Sequence, residues 1–176
     1  MNKGLNFVNG EYVIFMNSGD HFFKFTTLRI LNDLIDKNFP DILYGNHIIK
    51  TKNSLNIKFA KNIKNLWKGS IASHQSMIFR SILLTNRNFN LNYTYASDYD
   101  LFYFFKTTKY KLNYIDEPIS IITTNGFSEK NSVSTYKEFF DISLIYSKNK
   151  LLVYIYFFYK ILERTIVFKL KNTINV

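Results

Sequence analysis

Residues 12–20 read Tyr-Val-Ile-Phe-Met-Asn-Ser-Gly-Asp, and the fold follows from how this stretch is read. The apolar run 12–16 fits a buried strand. Asn17, Ser18, Gly19 and Asp20 then break it with loop chemistry. In open α/β sheets, ligands bind outside the carboxyl ends of strands, which is where this polar loop falls. A carboxylate such as Asp20 can hold a hard divalent cation that bridges phosphate oxygens. Gly19 lets the backbone approach a ligand closely. The plainer reading is a turn in which Asp20 caps the next segment, and taken alone the turn reading prevails.

Downstream, Thr26 or Thr27 is placed to cap a helix running to about Asn38, with Leu28, Leu31, Leu34 and Ile35 on one face. Pro40 ends it. Residues 41–44 read as a second buried strand, closed by Gly45. Strand, helix, strand predicts a parallel α/β unit. Residues 47–49 and 55–59 flank a hairpin turn at 50–54, and a short helix is predicted over 62–67. Residues 77–79 are strand-like, 82–84 suggest a helical turn, and 98–106 read as a helix. Strands are expected at 110–115 and 119–123, on either side of Glu117 and Pro118. A loop follows at 125–132, then helices at 135–146 and 150–171.

Composition supports a packed domain. The chain has 176 residues, 47% hydrophobic and 18% aromatic, so disorder is not the default. Cysteine is absent, which excludes disulfides and thiolate chemistry and fits a reducing compartment. The first eleven residues carry no signal-peptide core. Net charge is +10, which favours anionic partners. The lysines are scattered and no nucleic-acid recognition motif is visible, so no nucleic-acid partner is expected.

Two further polar clusters stand out. Asp98, within Ala96-Ser97-Asp98-Tyr99-Asp100, falls where a helix begins, so its carboxylate is favoured by the helix N-terminus. The plain alternative is an ordinary N-cap. His74 and Gln75 follow Ser73 in a loop. A lone histidine in apolar surroundings is more often structural than functional.

The ordered set EYVIFMNSGD, DILYGN, HQSMIFR and ASDYDL resembles a subgroup of family 2 glycosyltransferases of the GT-A fold, enzymes that often build bacterial surface polysaccharides. The resemblance runs from Met1 to about Glu138. It implies an incomplete GT-A, Rossmann-like mixed sheet flanked by helices over residues 1–148, followed by an amphipathic helix and tail over 149–176. It implies transfer of a sugar from a nucleotide-sugar donor to a glycan or lipid-linked acceptor, with manganese or magnesium as cofactor. By the family's pattern, Asp20 and Asn17 match the metal-binding position and Asp98 matches the catalytic base. Ser18, Gly19, His74 and Gln75 match the donor or acceptor pocket. Asn17 is a departure, because many members carry an acid there. Asn46 stands where members often have Asp. Reaction by a single inverting displacement is implied.

The family's first strands, which hold the nucleotide base, would precede Met1. The chain is therefore expected to begin inside the domain and to show little or no activity alone. A catalytically inactive remnant or an interaction module is the competing expectation.

The last predicted helix would be roughly 33 Å long. Its uncharged stretch, 151–159, is far short of the ~20 residues a membrane span needs. Leu151, Ile155, Phe158, Leu162, Ile166 and Leu170 share one face, with Lys160, Arg164 and Lys171 elsewhere around it. The preferred reading is a cytoplasmic protein with this helix peripheral on the inner face of the cell membrane. A helix packed on the domain core remains the other reading.

Overall fold

The computed structural model describes residues 1–123 and 131–174, with backbone alone for 170–174. The loop expected at 125–132 falls almost wholly outside the described residues, as do the side chains of Leu170 and Lys171.

A mixed six-stranded sheet forms the centre. Its strands are β1 (Tyr12–Ile14), β2 (His21–Phe22), β3 (Ile42–Lys50), β4 (Leu55–Lys58), β5 (Met77–Arg80) and β6 (Leu112–Thr123). They lie in the order β1-β5-β3-β6-β2, with β4 paired to β3. Only the β3–β6 pairing is parallel. The helices are α1 (Asn2–Leu5), α2 (Thr27–Asn38), α3 (Ser81–Asn86), α4 (Ser97–Thr107), α5 (Ser132–Tyr146) and α6 (Lys150–Ile174). Short 3-10 turns occupy Ile63–Lys68 and His74–Ser76.

β3 is buried on both faces, and its side chains alternate between two cores. Ile42 and Tyr44 pack with Phe79, Phe102 and Phe105 on the α4 side. Leu43 packs with Leu31, Ile78 and Ile119 on the α2 side. The sheet is thus sandwiched between α2 and α4, with α5 and α6 layered beyond α4.

Three expectations are corrected. β1 and β3 do run in the same direction, but they are not neighbours: β5 lies between them, antiparallel to both. Gly45 does not close a strand. β3 passes straight through it, because a Cβ there would sit 2.8 Å from Ile115 Cγ1 and 2.9 Å from the Glu117 carbonyl. Glu117 and Pro118 do not separate two strands either. β6 is continuous, and its pairing slips from Gly45↔Ile115 to Asn46↔Pro118, a bulge that accommodates a residue with no N–H.

At α2, neither threonine hydroxyl makes a helix cap. Thr27 Oγ1 instead accepts the Lys24 N–H at 3.0 Å. The helix closes on Phe39 in the left-handed region (φ 43°), whose N–H reaches the Ile35 carbonyl at 2.7 Å just before Pro40.

Candidate functional site

Several segments converge at one end of the sheet. β1 and β6 both finish there, and β5, which runs the other way, starts there. The turn after β1 is closed by the Asp20 N–H donating to the Asn17 carbonyl at 3.1 Å. Gly19 takes a φ of 87°, and a Cβ there would meet nothing within 4 Å. Glycine therefore serves the conformation of the turn rather than a crowded contact. Asn17, Ser18 and Gly19 are exposed, while Asp20 is half-buried.

The Asp20 carboxylate is tied to two distant segments. Its Oδ2 accepts from Gln75 Nε2 at 2.6 Å, and its Oδ1 accepts from the Thr123 N–H at the end of β6, at 3.2 Å. Gln75 is itself buried, and its Oε1 accepts from the Ser73 hydroxyl. Behind it the buried hydroxyls of Ser76 and Ser120 meet at 2.7 Å. The 3-10 turn before β5 is thus fastened to both β6 and the Asp20 turn.

His74 carries the link onward. Its Nδ1 lies 3.5 Å from Asp98 Oδ2, with both side chains about one-fifth exposed. Its Nε2 is buried and has no hydrogen-bond partner. Asp98 occupies the first turn of α4, and its Oδ1 also accepts the Tyr99 N–H at 2.8 Å. The helix N-terminus stabilises a negative charge at this position. Asp20 and Asp98, 78 positions apart, are therefore joined through the adjacent residues Gln75 and His74. All the sequence-predicted residues fall in this one region, with Asn17, Ser18 and Gly19 forming the exposed lip.

Two further carboxylates shape the site. Glu138 of α5 accepts the N–H groups of Thr94 (2.9 Å), Tyr95 (2.8 Å) and Ala96 (2.8 Å), the three residues leading into α4. Glu138 thereby fixes where the Asp98 helix starts. Nothing local in the sequence signals this, since the partners lie more than forty positions away. Asp100 is buried and points the other way, to Arg87 Nη2 and the Tyr146 hydroxyl, each at 3.0 Å. Burial, with the Asp100 charge second, pushes the Tyr146 phenol up to about 12. Asp100 is a structural anchor between α4, α5 and the segment after α3. Asn46 is structural too: its amide donates to Asp116 at 2.9 Å and accepts the Ala60 N–H at 2.9 Å.

Among the described residues, no cluster of three or more His, Cys, Asp or Glu could hold a metal by itself. The region offers Asp20 and the neutral Asn17. Each carboxylate oxygen of Asp20 has a second lone pair beyond its one hydrogen bond. This donor set fits a cation shared with ligand phosphates, as magnesium is commonly bound, rather than an all-protein cage.

By its likeness to solved structures, this curled mixed sheet flanked by helices is a glycosyltransferase-like fold. Solved structures of S. aureus TarS are among those it resembles. TarS 1–349 in complex with UDP-GlcNAc matches with a TM-score of 0.59 at 15% identity, over 89% of this chain and 49% of that one. The same protein in complex with UDP matches with a TM-score of 0.58 at 17% identity, over 89% and 47%. A longer TarS structure gives 0.55 at 18% identity, over 86% and 28%. The chain thus spans about half the length of the TarS 1–349 chains it matches. No protein-family model matches the chain, and no curated protein matches its sequence.

Proposed function

We propose that the chain carries the metal-binding and catalytic residues of a family 2, GT-A glycosyltransferase that moves a sugar from a nucleotide-sugar donor to a glycan or lipid-linked acceptor of a bacterial surface polysaccharide. The reading is supported chiefly by the joining of Asp20 to Asp98 through Gln75 and His74. That TarS is solved with UDP-GlcNAc and with UDP supports a donor of this class. The reading places the chain on the cytoplasmic side, peripheral at the inner face of the cell membrane.

In this mechanism Asp98 takes the proton of the acceptor hydroxyl as it attacks the anomeric carbon. His74 holds the carboxylate in place from its Nδ1 side. Gln75 orients the Asp20 carboxylate, and the lip of Asn17, Ser18 and Gly19 leaves the backbone open to the donor. Asp20, with the Asn17 amide, would hold manganese or magnesium together with the donor's phosphates, where the ion neutralises charge on the departing diphosphate.

The neutral Asn17 at the metal position, with no cluster of three His, Cys, Asp or Glu among the described residues, favours a second reading, a catalytically inactive remnant or interaction module. Calorimetric titration with UDP and UDP-sugars in the presence of manganese separates the two. On the first reading the chain binds, Asp20→Asn abolishes binding, and Asp98→Asn binds normally. In a turnover assay by diphosphate release on a full-length enzyme, Asp98→Asn costs about a thousandfold. Binding that ignores Asp20→Asn would sink the site assignment, and no binding at all would favour the remnant.

A further inference from the structure

α6 is packed on one face only. Val153 and Phe157 are fully buried against α5 and the Ile63–Lys68 turn. The Tyr156 ring meets Trp67 at 5.4 Å, and Phe157 meets Phe140 at 5.8 Å. Cations of the helix are engaged too: the Arg164 guanidinium lies over the Tyr136 ring at 5.3 Å, Lys160 pairs with Glu163 at 2.7 Å, and the Lys150 ammonium donates to the Leu144 and Ile145 carbonyls. The opposite face is apolar and open, with Leu151 69% exposed, Ile155 60%, Phe158 76%, Leu162 50% and Ile166 49%. A water-facing helix side is normally polar, so this arrangement is reversed.

Next to that face runs a groove of about 470 Å³ between α5 and α6, lined by Phe140, Tyr154, Phe157, Phe158, Ile161 and Leu162. The Thr165 hydroxyl at its wall is already donated to the Ile161 carbonyl at 2.8 Å. The groove suits a hydrocarbon chain better than a polar ligand.

We infer that this face docks onto an anionic phospholipid surface, with α6 lying along the headgroup boundary and the groove receiving an acyl chain. Among the described residues no helix is long and apolar enough to cross a membrane, so the helix lies on the surface rather than through it. Charge selects the partner. From residue 148 onward the chain carries Lys148, Lys150, Lys160, Arg164, Lys169 and Lys171 against Glu163 alone, and the whole chain is +10. Lys148 and Lys150 are exposed where α6 begins. A second copy seated on the same face would bring two strongly positive bodies together, whereas an anionic bilayer attracts that charge and buries the apolar stripe. The inference deepens the peripheral-membrane element of the proposed function but does not depend on sugar transfer.

The test is flotation of the full chain with vesicles of phosphatidylcholine alone or mixed with phosphatidylglycerol, at low and high salt. The chain should float with the phosphatidylglycerol vesicles at low salt, and much less with phosphatidylcholine alone or at high salt. Ile155→Asp combined with Phe158→Asp should lower the bound fraction by at least about tenfold. Both positions are exposed, so the circular dichroism and melting of this variant should match the parent. Three results would overturn the inference: no flotation with anionic vesicles at low salt, flotation that the double substitution leaves intact, or a lipid-free dimer in light scattering that the double substitution dissolves. No sugar donor is present, so failure here leaves the sugar-transfer reading standing. Loss of nucleotide binding in the Asp20 experiment likewise leaves this one standing.

Discussion

The Asp20 cluster and the outer face of α6 are held in shape by different means. In the cluster, the turn after β1, the turn before β5, the end of β6 and the start of α4 are tied together by polar contacts, with the buried His74 Nε2 left without a partner among them. Glu138 adds a fourth-layer brace from α5. On α6 the apolar stripe has no such partners among the described residues, although the opposite side of the same helix is closely packed. A polar cluster whose groups mostly find one another can stand in water. An apolar stripe left open carries a standing free-energy cost until something covers it.

α6 itself offers the sharpest way to break this contrast, because neighbouring phenylalanines differ in burial. Phe157 is fully buried and Phe158 is 76% exposed. Phe157→Ala should cost about 3–5 kcal/mol in urea unfolding, while Phe158→Ala should stay within about 0.5 kcal/mol. Equal effects would mean the helix is not seated as described.

A smaller effect concerns acid. His47 sits in β3 between Lys58 of β4 and Ser120 of β6, with its Nδ1 buried and without a hydrogen-bond partner. Burial, with the Lys58 charge second, holds its imidazole down to about 4 from the usual 6.5. Between those values the unfolded chain takes up a proton that the folded chain refuses, so stability falls as pH drops from 6.5 to about 4. The loss approaches about 3 kcal/mol at the low end. His47→Leu should flatten that part of the unfolding profile. A slope unchanged by the substitution would assign it to other groups.

A still smaller loss is expected where the Asp20–Asp98 cluster is tested. Glu138→Gln turns a carboxylate that accepts three N–H groups into an amide that can accept fewer. It should cost about 1–2 kcal/mol and weaken His74–Asp98 proximity, seen as a change at the His74 ring in NMR spectra. A stability loss with an unmoved His74 ring would limit Glu138 to bracing the loop.

What could be read from sequence was mostly local. The polar turn after β1, α2 with its stop before Pro40, the β3–β4 hairpin and the start of α4 are each encoded in residues near one another. The pairings that build the site were not legible. β5 inserts between β1 and β3 because it completes both cores, which no stretch of sequence announces. Pro118 looked like a break, but the bulge opposite Asn46 absorbs it. For α6, periodicity picked out Leu151, Ile155, Phe158, Leu162 and Ile166, which share the exposed side. It could not say that Val153 and Phe157 would be the buried side, since that is decided by Phe140, Tyr136 and Trp67 on other elements. Asp20, Gln75, His74 and Asp98 were each visible as candidates, and their convergence emerges only in three dimensions.

The sheet has one more property, which lies in β1. This strand ends the strand order and is only three residues long. A guest strand laid along its free side would gain only about one or two ladder bonds, since alternate backbone groups already point inward to β5. A loose peptide would find little grip there. The sheet can therefore be widened on that side only by a segment that brings its own hydrophobic anchorage, which protects the molecule against indiscriminate edge-to-edge association while leaving it extendable.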